Sequence, residues 1–178
     1  MVKEILDLLE PRDGGLYLDG TVGGGGHTRL ILDGCPDCRV LAVDRDQEAL
    51  DAARTSLADL EGRVRFLAMR FDQAPTDPEA RERGLDGALL DLGVSSHQLD
   101  TDARGFAFRR GVALDMRMNT AEGADARHFL AQASEERLAQ VFREFGEERR
   151  ASAPSAVFIR ISSATPRRKA KPRASVSS

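Results

Sequence analysis

Apolar residues recur along this chain in short blocks whose spacing switches between the two regular periods. Residues 2–10 alternate acids with leucines at helical spacing and predict a short helix. GLYLDG (15–20) is an apolar run that breaks into the glycine cluster GGGGH at 23–27, which reads as a strand and then a loop. A helix from about Thr28 to Leu32 follows, ended by Gly34 and Pro36. CRVLAVD (38–44) is a second buried strand. RDQEALDAARTSLADL (45–60) keeps Ala49, Leu50, Ala53, Leu57 and Leu60 on one face, so it predicts a second helix, stopped by Gly62. RVRFLAMRF (63–71) and LDGALLDLG (85–93) read as strands three and four, with a polar, Pro-containing stretch and a short helix between them. Strand and helix alternation of this kind implies right-handed crossovers into a parallel sheet covered on both faces, an α/β doubly wound fold with expected strand order 3-2-1-4.

After Gly93 the pattern changes. Residues 94–119 show no sustained period, and ADARHFLAQASEERLAQVFREFGEE then reads as two short helices. We expect an α/β half-sheet over 1–100, the start of a helical insert over 101–148, and a Ser/Ala/Pro/Arg-rich tail over 149–178, whose composition favours disorder except at AVFIRI (156–161). A length of 178 residues suits one domain with a buried core and is short for two. Hydrophobic residues at 41% and charged residues at 31% are globular values, and no apolar run approaches the ~20 residues needed to span a bilayer. The N-terminus lacks the basic start and uninterrupted apolar core of a signal peptide, so the expected location is the cytoplasm. The net charge of −3 hides an asymmetry: residues 1–148 carry 18 Lys/Arg against 29 Asp/Glu, and residues 149–178 carry 8 Lys/Arg and no acid. Such a basic block is either a solvated tail or an attractor of nucleic acid. Cys35 and Cys38 form one CxxC, short of the four ligands of a structural zinc site, and no metal is expected. A redox CxxC should open a helix after a strand, which this one does not, so two small residues in a turn is the preferred reading.

Three constellations carry chemistry. The first is DGTVGGGGHT (19–28), glycines between a strand and a helix, where an open α/β sheet binds its ligand and the backbone must approach it closely. The second is Asp44 at the tip of strand two, placed to accept hydrogen bonds from two ribose hydroxyls; the neighbouring Asp46 is assigned to capping the next helix. A nucleoside ligand follows. A dinucleotide fingerprint would need a glycine where this loop has Thr28, which disfavours NAD. The third is DLGVSSHQLD (91–100), facing the same crevice, where an acid or amide can hold the nucleoside while Ser95 and Ser96 begin a helix or turn.

DGTVGGGGHT, AVDRD, DLGVSSHQLD, RGFAF, LDMRM and FGEER, in that order, closely resemble the MraW/RsmH family of ribosomal RNA small subunit methyltransferases. The match covers about residues 3–149. It implies a Rossmann-like, class I S-adenosylmethionine-dependent fold and transfer of a methyl group to the N4 amine of a cytidine in small-subunit ribosomal RNA. The implied cofactor contacts are Gly25, Gly26 and His27 in the loop, Asp44 at ribose, Phe71 near adenine, and Asp91 and Gln98 beyond strand four. The implied partners are small-subunit ribosomal RNA or the ribosomal subunit, and a homodimer. No catalytic residue is assigned. An acceptor such as the Asp91 carboxylate or a backbone carbonyl can assist the cytidine amine, whose base must be flipped or single-stranded. In RGFAF (104–108) and LDMRM (114–118), Arg104 and Arg117 are the RNA candidates, and Met116 and Met118 are read as packing residues.

The family continues past GEER with strands not found here, so the sequence reading is of a chain that stops after strand four, its tail from Arg149 the product of a frame change. Two other functional readings stand beside the methyltransferase: an inactive cofactor-binding remnant, and an NAD-dependent oxidoreductase.

Overall fold

The computed structural model describes residues 2–107 and 111–148. The expectations placed on Phe108 and on the tail from 149, AVFIRI included, lie outside the described residues. The described residues form two compact units, one of residues 2–101 with 118–123, the other of residues 102–107, 111–117 and 124–148.

The first unit holds a four-stranded parallel sheet of order β3-β2-β1-β4, formed by β1 (Leu16–Asp19), β2 (Arg39–Asp44), β3 (Val64–Ala68) and β4 (Gly87–Leu89). Its helices are α1 (Val2–Leu9), α2 (Gly26–Gly34), α3 (Gln47–Ser56), α4 (Pro78–Arg83) and α5 (Ser96–Asp100). Every residue of β1 is buried, as befits a strand paired on both edges and covered on both faces. Alternation along the strands sorts the core into two clusters. Tyr17, Val40, Ala42 and Val64 pack with Ile31 and Leu32 of α2 and Leu50 and Ala53 of α3, while Leu16, Leu18, Leu41 and Val43 pack with Ala74 and with Ala80 of α4. Gly87 lets the edge strand lie against the Tyr17 ring, whose carbons a Cβ at that position would meet at 3.1 Å.

Strands three and four are shorter than their apolar runs. The ladder to β3 ends at the pair Asp44–Ala68 because β2 ends there, and the chain turns into a 3-10 segment over Phe71–Thr76 instead of continuing to 71. Likewise β4 stops at Leu89, opposite Asp19, because β1 gives way to the glycine loop and offers no further ladder. Leu90 and Leu92 of the expected strand are therefore exposed. The second helix is also cut short, at Ser56; Leu57 turns into the core, and a 3-10 segment (Ala58–Arg63) replaces the last turn. The cysteines flank the turn at Pro36 and Asp37, as expected, and both are buried in the core. Burial, first among the causes, pushes the Cys35 thiol up to about 12, which leaves it protonated and inert at neutral pH.

In the second unit, α6 (Ala126–Gln132) and α7 (Glu135–Phe145) are capped by Asp125 and Ser134, whose side chains accept from the amides of His128 and Arg137. The two motif segments close on one another: Met116 N–H donates to the Arg104 carbonyl at 2.9 Å, and a Cβ at Gly105 would meet the Ala113 carbonyl oxygen at 2.5 Å.

Gly25 sets the start of α2. Its φ is +87°, and a Cβ would meet Leu57 Cδ1 at 2.9 Å. Gly25→Ala is expected to lower the unfolding free energy by about 1–3 kcal/mol through left-handed strain and this clash. A urea titration with an unshifted midpoint would contradict it.

Candidate functional site

Where β1, β2 and β4 end together, the chain leaves a cleft of about 590 Å³, inside the ~300–1,000 Å³ range of small-molecule sites. Its lining comes from the loop after β1 (Gly20–Gly24, Gly26, His27), the tip of β2 (Asp44, Arg45), Phe71 after β3, and residues 91–96 and Gln98 after β4, with Met118.

The loop is anchored from below. Asp19, wholly buried at the end of β1, accepts from the Thr28 hydroxyl at 2.7 Å on one carboxylate oxygen and from the Thr21 amide at 3.2 Å on the other. Thr21 Oγ1 in turn accepts from the Asp91 amide at 2.7 Å, tying the end of β4 to the loop. Asp44 completes the frame, with Oδ2 accepting from Gly23 N–H at 3.1 Å and Oδ1 from Asp46 N–H at 3.0 Å. Each Asp44 oxygen keeps lone-pair capacity for a ligand hydroxyl.

Of the residues expected to contact a cofactor, Gly26, His27, Asp44, Phe71, Asp91 and Gln98 all line this one cleft. Gly25 does not; it is buried against Leu57, and its work is the backbone turn just described. Phe71 is 39% exposed at the rim and not a core residue, so its ring is available for stacking. His27 Nδ1 lies 3.9 Å from Asp91 Oδ2, an ion pair when the imidazole is protonated. Asp46 caps α3 as expected, accepting from Glu48 N–H at 3.1 Å. Ser95 caps α5, in a capping box with Gln98.

Arg104 is buried and donates to the Arg117 carbonyl at 3.0 Å, and Arg117 grips Asp115 in a two-pronged pair at 2.9 and 2.7 Å that holds the Asp115 carboxyl below its usual range. Both guanidiniums are engaged within their own unit. Met116, read as packing, is 45% exposed at φ +59°, while Met118 is half-buried and lines the cleft. Sequence reasoning passed over Asp19, Thr21 and Arg45. The signal for the first two lay in the order strand, Asp, loop, Thr, which marks a loop needing a buried acceptor for its amides.

A parallel sheet of order β3-β2-β1-β4, with a glycine loop after its central strand and a carboxylate at the next strand's tip, is a Rossmann-like fold. This chain belongs to the MraW methylase family, whose family model matches residues 1–174, past the point near 149 where the sequence motifs give out. It is 48% identical over 147 residues to a protein of Cyanothece sp. named ribosomal RNA small subunit methyltransferase H, covering 83% of this chain and 49% of the relative. Proteins of the same name from Geotalea uraniireducens and Syntrophotalea carbinolica are 44% and 48% identical, with 90% and 84% of this chain and 52% and 48% of theirs covered. The chain thus spans about half the length of the curated relatives it matches. Among solved structures, an rRNA methylase from Streptococcus thermophilus overlaps 42% of this chain and 45% of its own at 21% identity and a TM-score of 0.37, too little to bear on the site.

Burial, only partly offset by the Thr28 and Thr21 donors, raises the Asp19 pKa above its ordinary 3.8. Between that value and the raised one the native chain keeps a proton that the unfolded chain has released. Stability is therefore lost as pH rises through the raised pKa and is fully present below the ordinary one. Relative to Asp19→Asn, the unsubstituted protein is expected to gain unfolding free energy as pH falls from 7 towards 4. Urea titrations across that range check the sign, and a difference that is flat or grows with pH would refute it.

Proposed function

We propose that this chain binds S-adenosylmethionine in the cleft and supplies the cofactor-holding part of a methyl transfer to the N4 amine of a cytidine in small-subunit ribosomal RNA. The observation that carries this reading is the Asp44 carboxylate, held at the tip of β2 by Gly23 and Asp46 amides and facing a glycine-walled cleft. The residues present fit such a ligand: a carboxylate for paired ribose hydroxyls, the Phe71 ring for adenine, and glycines that leave room for the amino-acid portion. Membership of the MraW methylase family and the names of the relatives support the reaction and the RNA substrate.

When bound, S-adenosylmethionine supplies a sulfonium methyl group open to in-line attack. The chain's contribution is positioning, since fixing two reactants in line removes most of the entropic cost of their encounter. Asp44 and the loop amides set the nucleoside end. Asp91 follows β4 with its side chain largely exposed and its amide pinned to Thr21, which supports a role as proton acceptor toward an incoming base at the cleft mouth. There it accepts a hydrogen bond from the cytidine amine and draws electron density back onto the nitrogen. The base enters splayed from its stack. The same reading places the chain in the cytoplasm with the small ribosomal subunit; among the described residues no helix is long and apolar enough to cross a membrane.

Calorimetric titration with S-adenosylmethionine is expected to show one site, weakened roughly a hundredfold or more by Asp44→Ala through loss of two charge-assisted hydrogen bonds. Binding of NADH in preference to S-adenosylmethionine would overturn the reading in favour of an oxidoreductase. Asp91→Asn is expected to lower methyl transfer to a ribosomal RNA fragment by about 10²-fold, the scale of a lost proton acceptor. Full turnover with weakened cofactor affinity would remove the role given to the Asp91 carboxylate.

A further inference from the structure

Arg45 follows Asp44 at the tip of β2 and lines the cleft with its side chain exposed. Other arginines of the same unit are engaged: Arg29 pairs with Asp59, Arg65 with Asp77, and Arg70 grips Asp72 at 2.8 and 2.7 Å. Among the described residues, the Arg45 guanidinium gives no hydrogen bond and makes no ion pair. Its charge still reaches Asp72, whose carboxyl lies below its usual range, first through the Arg70 hydrogen bonds and last through Arg45.

That charge places Arg45 beside the segment after β3. The ladder between β2 and β3 ends at the pair Asp44–Ala68, and Met69 N–H donates to the Asp44 carbonyl at 3.1 Å. Adjacent strands lie ~4.8 Å apart, so Arg45 and Phe71 enter the same cleft from neighbouring strand tips. One carries a planar cation and the other a ring that is 39% exposed. Among the described residues, the cation over a ring is Arg54 above Phe66, at 5.3 Å from the centroid, so Arg45 and Phe71 are not stacked on each other.

We propose that Arg45 is a further binding residue for the nucleoside, laying its guanidinium plane on the adenine so that Arg45 and Phe71 form two walls of one slot. This rests on the reading of the cleft as a site for S-adenosylmethionine with Asp44 at the ribose. A nucleoside held there by its hydroxyls carries its base to one side of the β2 tip. The glycine loop fills the side towards β1, which leaves the side towards β3, where Arg45 and Phe71 stand. A guanidinium stacks on the face of a base through dispersion and through its charge, and it sheds its weakly held water readily. Arg45 reaches the base without breaking a hydrogen bond to the protein. Its charge and the cofactor's sulfonium repel, so Arg45 serves binding through its plane, at the end of the ligand away from the sulfur.

The test is calorimetric titration of the full chain with S-adenosylmethionine and with S-adenosylhomocysteine, which has the same adenosine and no sulfonium charge. Arg45→Ala is expected to bind both roughly five- to tenfold more weakly, by comparable factors. Arg45→Lys keeps the charge without the plane and is expected to lose nearly as much. In a chain already carrying Phe71→Ala, removing Arg45 is expected to cost less than about threefold, since a base that has lost one wall is no longer pressed against the other. Urea midpoints of the Arg45 variants are expected to match the unsubstituted chain, which separates loss of a contact from loss of structure. If Arg45→Ala binds both ligands within about twofold of the unsubstituted chain, Arg45 does not touch the base and the inference is wrong; weakened binding of a ribosomal RNA fragment by that variant would then assign the guanidinium to phosphate. Tighter binding of S-adenosylmethionine alone, or full affinity in Arg45→Lys, would reduce Arg45 to a point charge and overturn the slot. Binding of neither ligand by the unsubstituted chain would overturn the proposed function, and this inference with it.

Discussion

Asp19 ends the central strand with its carboxylate out of reach of water, one oxygen taken by the Thr28 hydroxyl and the other by the Thr21 amide. That arrangement constrains everything above it. A loop of consecutive glycines has the largest conformational entropy to lose of any segment here, and a buried acceptor bonded to residues on both sides of the glycines restricts it to one path. Thr21 then passes the constraint to the end of β4 through Asp91, and Gly23 passes it to β2 through Asp44. The tips of three strands are thus locked into one frame.

The fold was legible wherever local pattern decides the outcome. Strand order, alternating helices and the two short helices of the second unit follow from periodicity and alternation, and the Asp46 cap signals within three residues of itself. Element lengths were not legible in the same way. LDGALLDLG is apolar enough for nine residues of strand, but a strand lasts only while its neighbour does, and β1 ends at Asp19. Leu90 and Leu92 belong to the pattern and not to the ladder.

The same divide runs through the site. Asp44 could be placed at a cleft from its position at a strand tip, and Phe71 reached the rim because the strand before it ended early. The partners of Gln98 and Arg104 lie outside any local window: Asp46 is 52 residues from Gln98, and the Arg117 carbonyl that Arg104 meets is 13 residues on.

The cleft has two unlike walls. The wall after β1 is backbone, shaped by left-handed glycines and a buried acid; the wall after β4 is an irregular segment and a helix of five residues, held by the side chains of Thr21, Ser95 and Gln98. In evolutionary terms the walls should drift at different rates. Exchanges at the exposed residues 92–94 can reshape the rim of the cleft while the sheet stays whole, whereas a change at Asp19, Gly25 or Thr28 disturbs the turn on which the loop is built. The rim of the cleft is thus freer to change on the β4 side than on the side of the glycine loop.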